Sequence, residues 1–143
     1  MIQPRRDTTL IARARRKLAR WPDVAYDATS WSLHVPAPRA GGFDIDLQER
    51  RRGYIVWFEG WTRTFDRDDD ALDCLELGLS DSCRLSVMCR GRTAVAWTLE
   101  IREFGMWVPH RTRRRRLVPF WRPARTEYKQ NDVITKAEPA AVD

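Results

Sequence analysis

The chain has 143 residues, of which 43% are hydrophobic, 32% charged and 10% aromatic, with 7 Gly and 8 Pro. That balance suits one ordinary domain with its own core and excludes collagen-like, low-complexity and wholly disordered chains. The net charge of +6 is unevenly placed: residues 1–20 carry seven bases against Asp7, residues 43–107 nine bases against thirteen acids, and residues 108–143 nine bases against four acids. The middle is therefore mildly acidic and both ends are basic.

In chain order, residues 7–21 are expected to form an amphipathic helix. Leu10, Ile11, Ala14, Leu18 and Trp21 recur at helical spacing. Asp7 or Thr8 can cap its first turn, and Pro22 stops it. Trp31 to Val35 alternates as a short strand, followed by a loop rich in Pro and Gly. Phe43, Ile45 and Leu47 alternate with Asp44, Asp46 and Gln48 in a half-buried strand. After a turn at 49–53, Tyr54 to Phe65 is expected to return as one long strand, with Gly60 as a bulge.

A second helix is expected over about 67–79. Asp66, Asp68, Asp69 and Asp70 crowd its first turn, where the helix dipole favours anions. Ala71, Leu72, Leu75 and Leu79 form its buried stripe, and Gly78 is expected to mark its end. Leu85, Val87 and Cys89 then alternate up to a turn at Arg90-Gly91-Arg92, and Val95, Trp97, Leu99 and Ile101 alternate back. His110 to Arg116 reads as a basic loop or the beginning of a strand. Leu117 to Trp121 and Thr126 to Tyr128 are expected to be two final short strands. The order predicts an α+β fold: an antiparallel sheet of about five to seven strands, with both helices packed on it in two layers. Residues 1–134 would form that single domain and residues 135–143 a flexible tail.

Arg111, Arg113, Arg114, Arg115 and Arg116 place five guanidinium groups in six positions. Such repulsion is relieved by a bound polyanion, and Trp107, Phe120 and Trp121 lie near enough in sequence to stack on bases. The alternative is a solvated loop whose charges pair with acids such as Glu103 or Glu127. Codon usage in a GC-rich genome also raises Arg over Lys, and 23 of the 26 bases are Arg. No RNP aromatic pair, GXXG loop or zinc-finger spacing accompanies the cluster. The helix–strand–helix order of a double-stranded RNA-binding domain fails because the second helix begins with aspartates, which repel phosphate.

Other chemistry has thin support. Asp66, Asp68 and Asp70 match the first spacings of an EF-hand, but Ala71 and Leu77 stand where Gly and a bidentate Glu are needed. No nucleophile elbow, zincin motif or Walker loop occurs. A pairing of Cys83 or Cys89 with His110, or of Glu59 with Asp66, has only arithmetic behind it. No catalytic, cofactor-binding or metal-binding residue is assigned, and the inventory leans away from an enzyme.

The aromatics weigh more. Trp57, Trp61, Trp97 and Trp107 lie in or beside expected strands, and both faces of Tyr54 to Phe58 are apolar, so both must be covered. The preferred reading is a small non-enzymatic binding protein, meeting a protein partner or a second copy of itself through aromatic strand faces and an arginine rim. The second is a nucleic-acid-binding accessory protein using Arg111 to Arg116 together with helix 7–20. The third is a small enzyme or ligand-binding sheet with a pocket lined by Trp57, Trp61 and Trp97. The N-terminus has no apolar leader, no run is long enough for a membrane span, and three cysteines are an odd number. The expected location is the cytoplasm, with no membrane partner.

Overall fold

A computed structural model describes residues 9–135 and places two helices and nine strands there. The first helix, α1, runs Leu10–Leu18 and buries Leu10, Ile11, Ala14 and Leu18, the expected stripe. Its cap is Thr9, whose side chain accepts the Ala12 N–H at 3.3 Å. The other two candidates, Asp7 and Thr8, lie outside the described residues. Trp21 falls past the helix end, half-buried, with its N–H on the Leu18 carbonyl at 2.9 Å.

Five strands follow as an antiparallel sheet in sequential order: β1 Asp27–Ala28, β2 Ser32–Val35, β3 Ile45–Glu49, β4 Tyr54–Phe58 and β5 Trp61–Phe65. Where one long strand is expected from Tyr54 to Phe65, the chain turns back on itself at Glu59-Gly60, pairing Phe58 with Trp61. The physical reason is burial. A continuous strand would send Phe58 and Trp61 to opposite faces, whereas the hairpin sets both on the inner face, at 0% and 1% exposure. Their rings stack with centroids 5.0 Å apart, and Phe43 adds a third ring 5.2 Å from Phe58. Glu59 adopts a left-handed backbone (φ 55°) to make the turn.

The second helix, α2, runs Asp68–Leu79 and buries Ala71, Leu72, Leu75 and Leu79 as expected. Gly78 does not end it. That glycine lies within the last turn, because a Cβ there would sit 2.5 Å from the Phe58 ring. The cap is Ser80, in extended backbone. Helix α2 packs on β3, β4 and β5, while α1 packs on α2 and β3. The two helices are clamped by Arg13, which reaches both Asp68 and Asp69, and by Lys17 with Glu76 at 2.9 Å.

The remaining strands form a second antiparallel sheet rather than extending the first. They are β6 Cys83–Arg90, β7 Thr93–Glu103, β8 Met106–Arg114 and β9 Ala124–Lys129, in the order β8-β7-β6-β9. The fold is α+β as expected, but with sheets of five and four strands. Its core is continuous between them: Leu85, Val87 and Leu99 join the same buried cluster as Leu47, Phe58 and Leu75. Asn131 fastens the ends together. Fully buried, it accepts the Phe43 N–H at 2.8 Å and donates to the Gly78 carbonyl at 3.0 Å. Ile134 is buried beside Ser80, and the tail expected over 135–143 lies outside the described residues from 136 onward.

Candidate functional site

Arg111, Arg113 and Arg114 lie in strand β8, and Arg115 and Arg116 follow its end. Strand β8 is an edge strand of the second sheet, and register pairs Ala96 with Arg114, Trp97 with Arg113 and Thr98 with Thr112. The pairing continues past the strand, where the Arg115 N–H reaches the Val95 carbonyl at 2.8 Å. The strip is held against the first sheet at two points. Trp61 Nε1 donates to the Arg111 carbonyl at 3.1 Å, and Arg113 Nη1 donates to the Gly60 carbonyl at 3.0 Å. Its backbone is therefore fixed while all five side chains are exposed.

Among the described residues none of the five arginines forms an ion pair. The acids that might have neutralised them are occupied. Glu103 meets His110 at 3.1 Å and Glu127 meets Arg125 at 2.9 Å. Elsewhere Glu100 pairs with Arg84 at 2.7 Å, and Glu59 meets both Lys129 and Trp97 Nε1. Glu59, Glu100 and Glu127 thus meet bases outside the strip.

One groove follows the strip and a second basic groove lies at the β6–β7 turn. One, of about 610 Å³, is lined by Gly60, Trp97 and Arg113 to Arg116. The other, of about 700 Å³, lies between Arg90, Arg92, Trp121 and Arg122. The start of β7 links them: Arg115 Nη1 donates to the Ala94 carbonyl at 3.5 Å, and Thr93 lines the second groove. Leu117 to Trp121, expected as a strand, is irregular. It carries Phe120 and Trp121 into solvent at 77% and 69% exposure, ring to ring at 5.4 Å. Arg90 Nη1 donates to the Phe120 and Arg122 carbonyls at 3.3 and 3.2 Å, fixing that loop beside the basic groove.

The four singled-out tryptophans do not meet in one place. Trp61 is core. Trp57 lies on the opposite face of the first sheet, in a row with His34, Asp46 and Thr62, and is covered by the Arg50 guanidinium at 5.5 Å. Trp97 packs its indole on Gly60. Trp107 lies on the outer face of the second sheet under Arg84 and Arg102, at 4.5 and 4.8 Å, and Arg84 also covers Tyr128 at 4.0 Å. On β4 the inner face is buried at Val56 and Phe58, while Ile55 and Trp57 on the outer face are half-buried.

On and just after helix α1, Arg13 and Lys17 are paired with α2, while Arg15, Arg16 and Arg20 are exposed. The three cysteines are buried, and burial pushes the Cys74 thiol up to about 12. Cys83 and Cys89 face the core from β6, and Cys74 shares a cleft with His110. Glu59 is committed to Trp97 and Lys129 rather than to Asp66, and Asp68 to Arg13 rather than to a cation. Among the described residues there is no group of three or more ligating side chains that could hold a metal ion, and no helix is long and apolar enough to cross a membrane.

Arg90, Arg92 and Arg122 escape a reading based on the run alone, because the turn at 91–92 and the loop at 117–123 bring them beside it only through tertiary pairing. No protein-family model, curated protein or solved structure matches this chain.

Proposed function

We propose that the chain binds single-stranded nucleic acid in the cytoplasm, without catalysing a reaction. Arg111, Arg113, Arg114, Arg115 and Arg116 contact phosphates, and Phe120 and Trp121 serve as stacking platforms. One observation carries the reading: five neighbouring guanidinium groups stand exposed along β8 and the two residues that follow it, with no ion pair among the described residues, while Glu103 and Glu127 lie beside other groups. An unpaired row of like charge costs repulsion that a polyanion removes, and arginine forks take phosphate bidentately. Exposed rings beside such a row add sequence-tolerant stacking.

The test is anisotropy of a fluorescein-labelled thymidine 20-mer titrated with nuclease-treated protein. Binding is expected for the native chain and weakened at least about tenfold on changing Arg113, Arg114, Arg115 and Arg116 to Ser, with a smaller loss for Phe120→Ala/Trp121→Ala. Equal binding by the arginine variant would overturn the proposal.

A second reading, a protein partner or homodimer, rests on a different observation. Leu117, Phe120 and Trp121 form an exposed apolar group, with Leu117 at 89% exposure. A dimer indifferent to salt, seen by light scattering and abolished by Phe120→Ala/Trp121→Ala, would favour it over the first.

A further inference from the structure

A third cavity, of about 420 Å³, opens where α2 meets the joint between the sheets. That volume is in the range of small-molecule sites. Its floor is apolar, built from Trp61, Leu77, Leu99 and Ile101. Its two charged walls are of opposite sign. Arg63 from β5 and Arg111 from β8 stand on one side, Asp70 and Asp73 from α2 on the other.

The acids of α2 divide by direction. Asp68, Asp69 and Glu76 are each paired with a base of α1. Asp70 and Asp73 face the cleft with Cys74 and Leu77, at helical spacings of three and four, and among the described residues neither forms an ion pair. Arg63 and Arg111 likewise form none, although Arg63 and Asp73 both act electrostatically on the Cys74 thiol between them. All four side chains are solvent-exposed. Held apart over an apolar floor, they match a ligand that brings one charge of each sign.

We propose that this cleft binds a small zwitterion with an apolar body, of the chemistry of a free apolar amino acid. The carboxylate lies on Arg63 and Arg111, the ammonium on Asp70 and Asp73, and the side chain on Leu99 and Ile101. Arg111 is shared with the arginine strip, but Arg63 and Asp73 lie outside it and Arg113 to Arg116 lie outside the cleft, so substitutions at those positions test the two proposals separately.

The probes are L-phenylalanine, phenethylamine, which has only the ammonium, and 3-phenylpropionate, which has only the carboxylate. Each is titrated to about 10 mM into the full chain, followed by two-dimensional NMR with circular dichroism as the folding control. Phenylalanine is expected to give saturable shifts at Cys74, Leu77 and Leu99, and each single-charge analogue to bind at least about tenfold more weakly. Arg63→Gln and Asp73→Asn should each weaken phenylalanine by a similar factor. Asp73→Asn should leave phenylpropionate unchanged, Arg63→Gln should leave phenethylamine unchanged, and Arg114→Gln should alter nothing. The absence of saturable shifts, equal binding of the three probes, or indifference to both substitutions in a folded protein would overturn the proposal.

Discussion

Gly60 is where the two sheets lock together, and adding a single methyl group there tests that joint. A Cβ on Gly60 would lie 2.3, 2.4 and 2.6 Å from Cε2, Cζ2 and Cδ2 of Trp97. Carbon atoms in contact sit about 3.5–4.0 Å apart, so the indole must retreat by about 1.2 Å or more. The ring cannot retreat freely, because its Nε1 donates to Glu59 Oε2 at 2.9 Å. Overpacking of this kind costs about 1–3 kcal/mol, and loss of the hydrogen bond adds about 1 kcal/mol. Gly60→Ala is therefore expected to destabilise by about 2–4 kcal/mol, or about 7–13 °C in Tm for a chain of this size. The comparison is Gly105→Ala, at a φ of +75° with nothing within 4 Å, where only backbone strain of about 1 kcal/mol applies. Urea unfolding should show a lower midpoint at unchanged slope for both variants, with the larger drop at Gly60. A Gly60→Ala midpoint at or above that of Gly105→Ala would refute the packing argument.

Asn131→Ala should cost about 2–4 kcal/mol in the same assay, since it orphans the buried Phe43 N–H and the Gly78 carbonyl together. A native-like midpoint would show that Asn131 does not fasten these ends. The three thiols, all buried, should resist a disulfide-exchange reagent at pH 8 in the native protein and react after unfolding, with Cys74 further protected by a thiol shifted to about 12. Rapid native labelling at Cys74 would contradict this. Arg13 holds the Asp69 carboxyl below its ordinary value of 3.8, chiefly through their hydrogen bond. A depressed carboxyl stabilises the fold above its unfolded pKa, and that contribution is lost as pH falls through the folded value. The Tm gap between native chain and Arg13→Gln should therefore be full at pH 7 and close as pH drops below about 3.8; a constant gap would refute the assignment.

The parts of this fold legible in the sequence are those where burial follows a local period. The α1 and α2 stripes and the β6–β7 alternation are of that kind. The β4–β5 hairpin is not, because five residues on either side of Glu59-Gly60 are equally apolar as one strand or two. What decides is the pairing of Phe58 with Trp61 over the core, a tertiary fact. Gly78 misleads for the same reason: it serves Phe58 rather than a helix end. Strand β8 carries no apolar alternation because it is an exposed edge, so its arginines read equally as a loop or the beginning of a strand. Leu117 to Trp121 has the apolar content of a strand but lies in solvent. The arginines themselves are plain in the sequence. Their lack of acidic partners is not, since Glu103 and Glu127 are near in sequence yet bonded elsewhere.

The most direct measurement is the salt dependence of binding to the thymidine 20-mer. Five arginines each neutralising one phosphate of a single strand give a slope of log K against log salt near −3.5. Affinity should then fall about a hundredfold between about 50 and 200 mM salt. With Arg113 to Arg116 changed to Ser, the slope should shrink to about −0.7, and with the same four changed to Lys it should stay near the native value. A shallow native slope, or one that survives the serine changes, would contradict the assignment of the arginine strip to a polyanion.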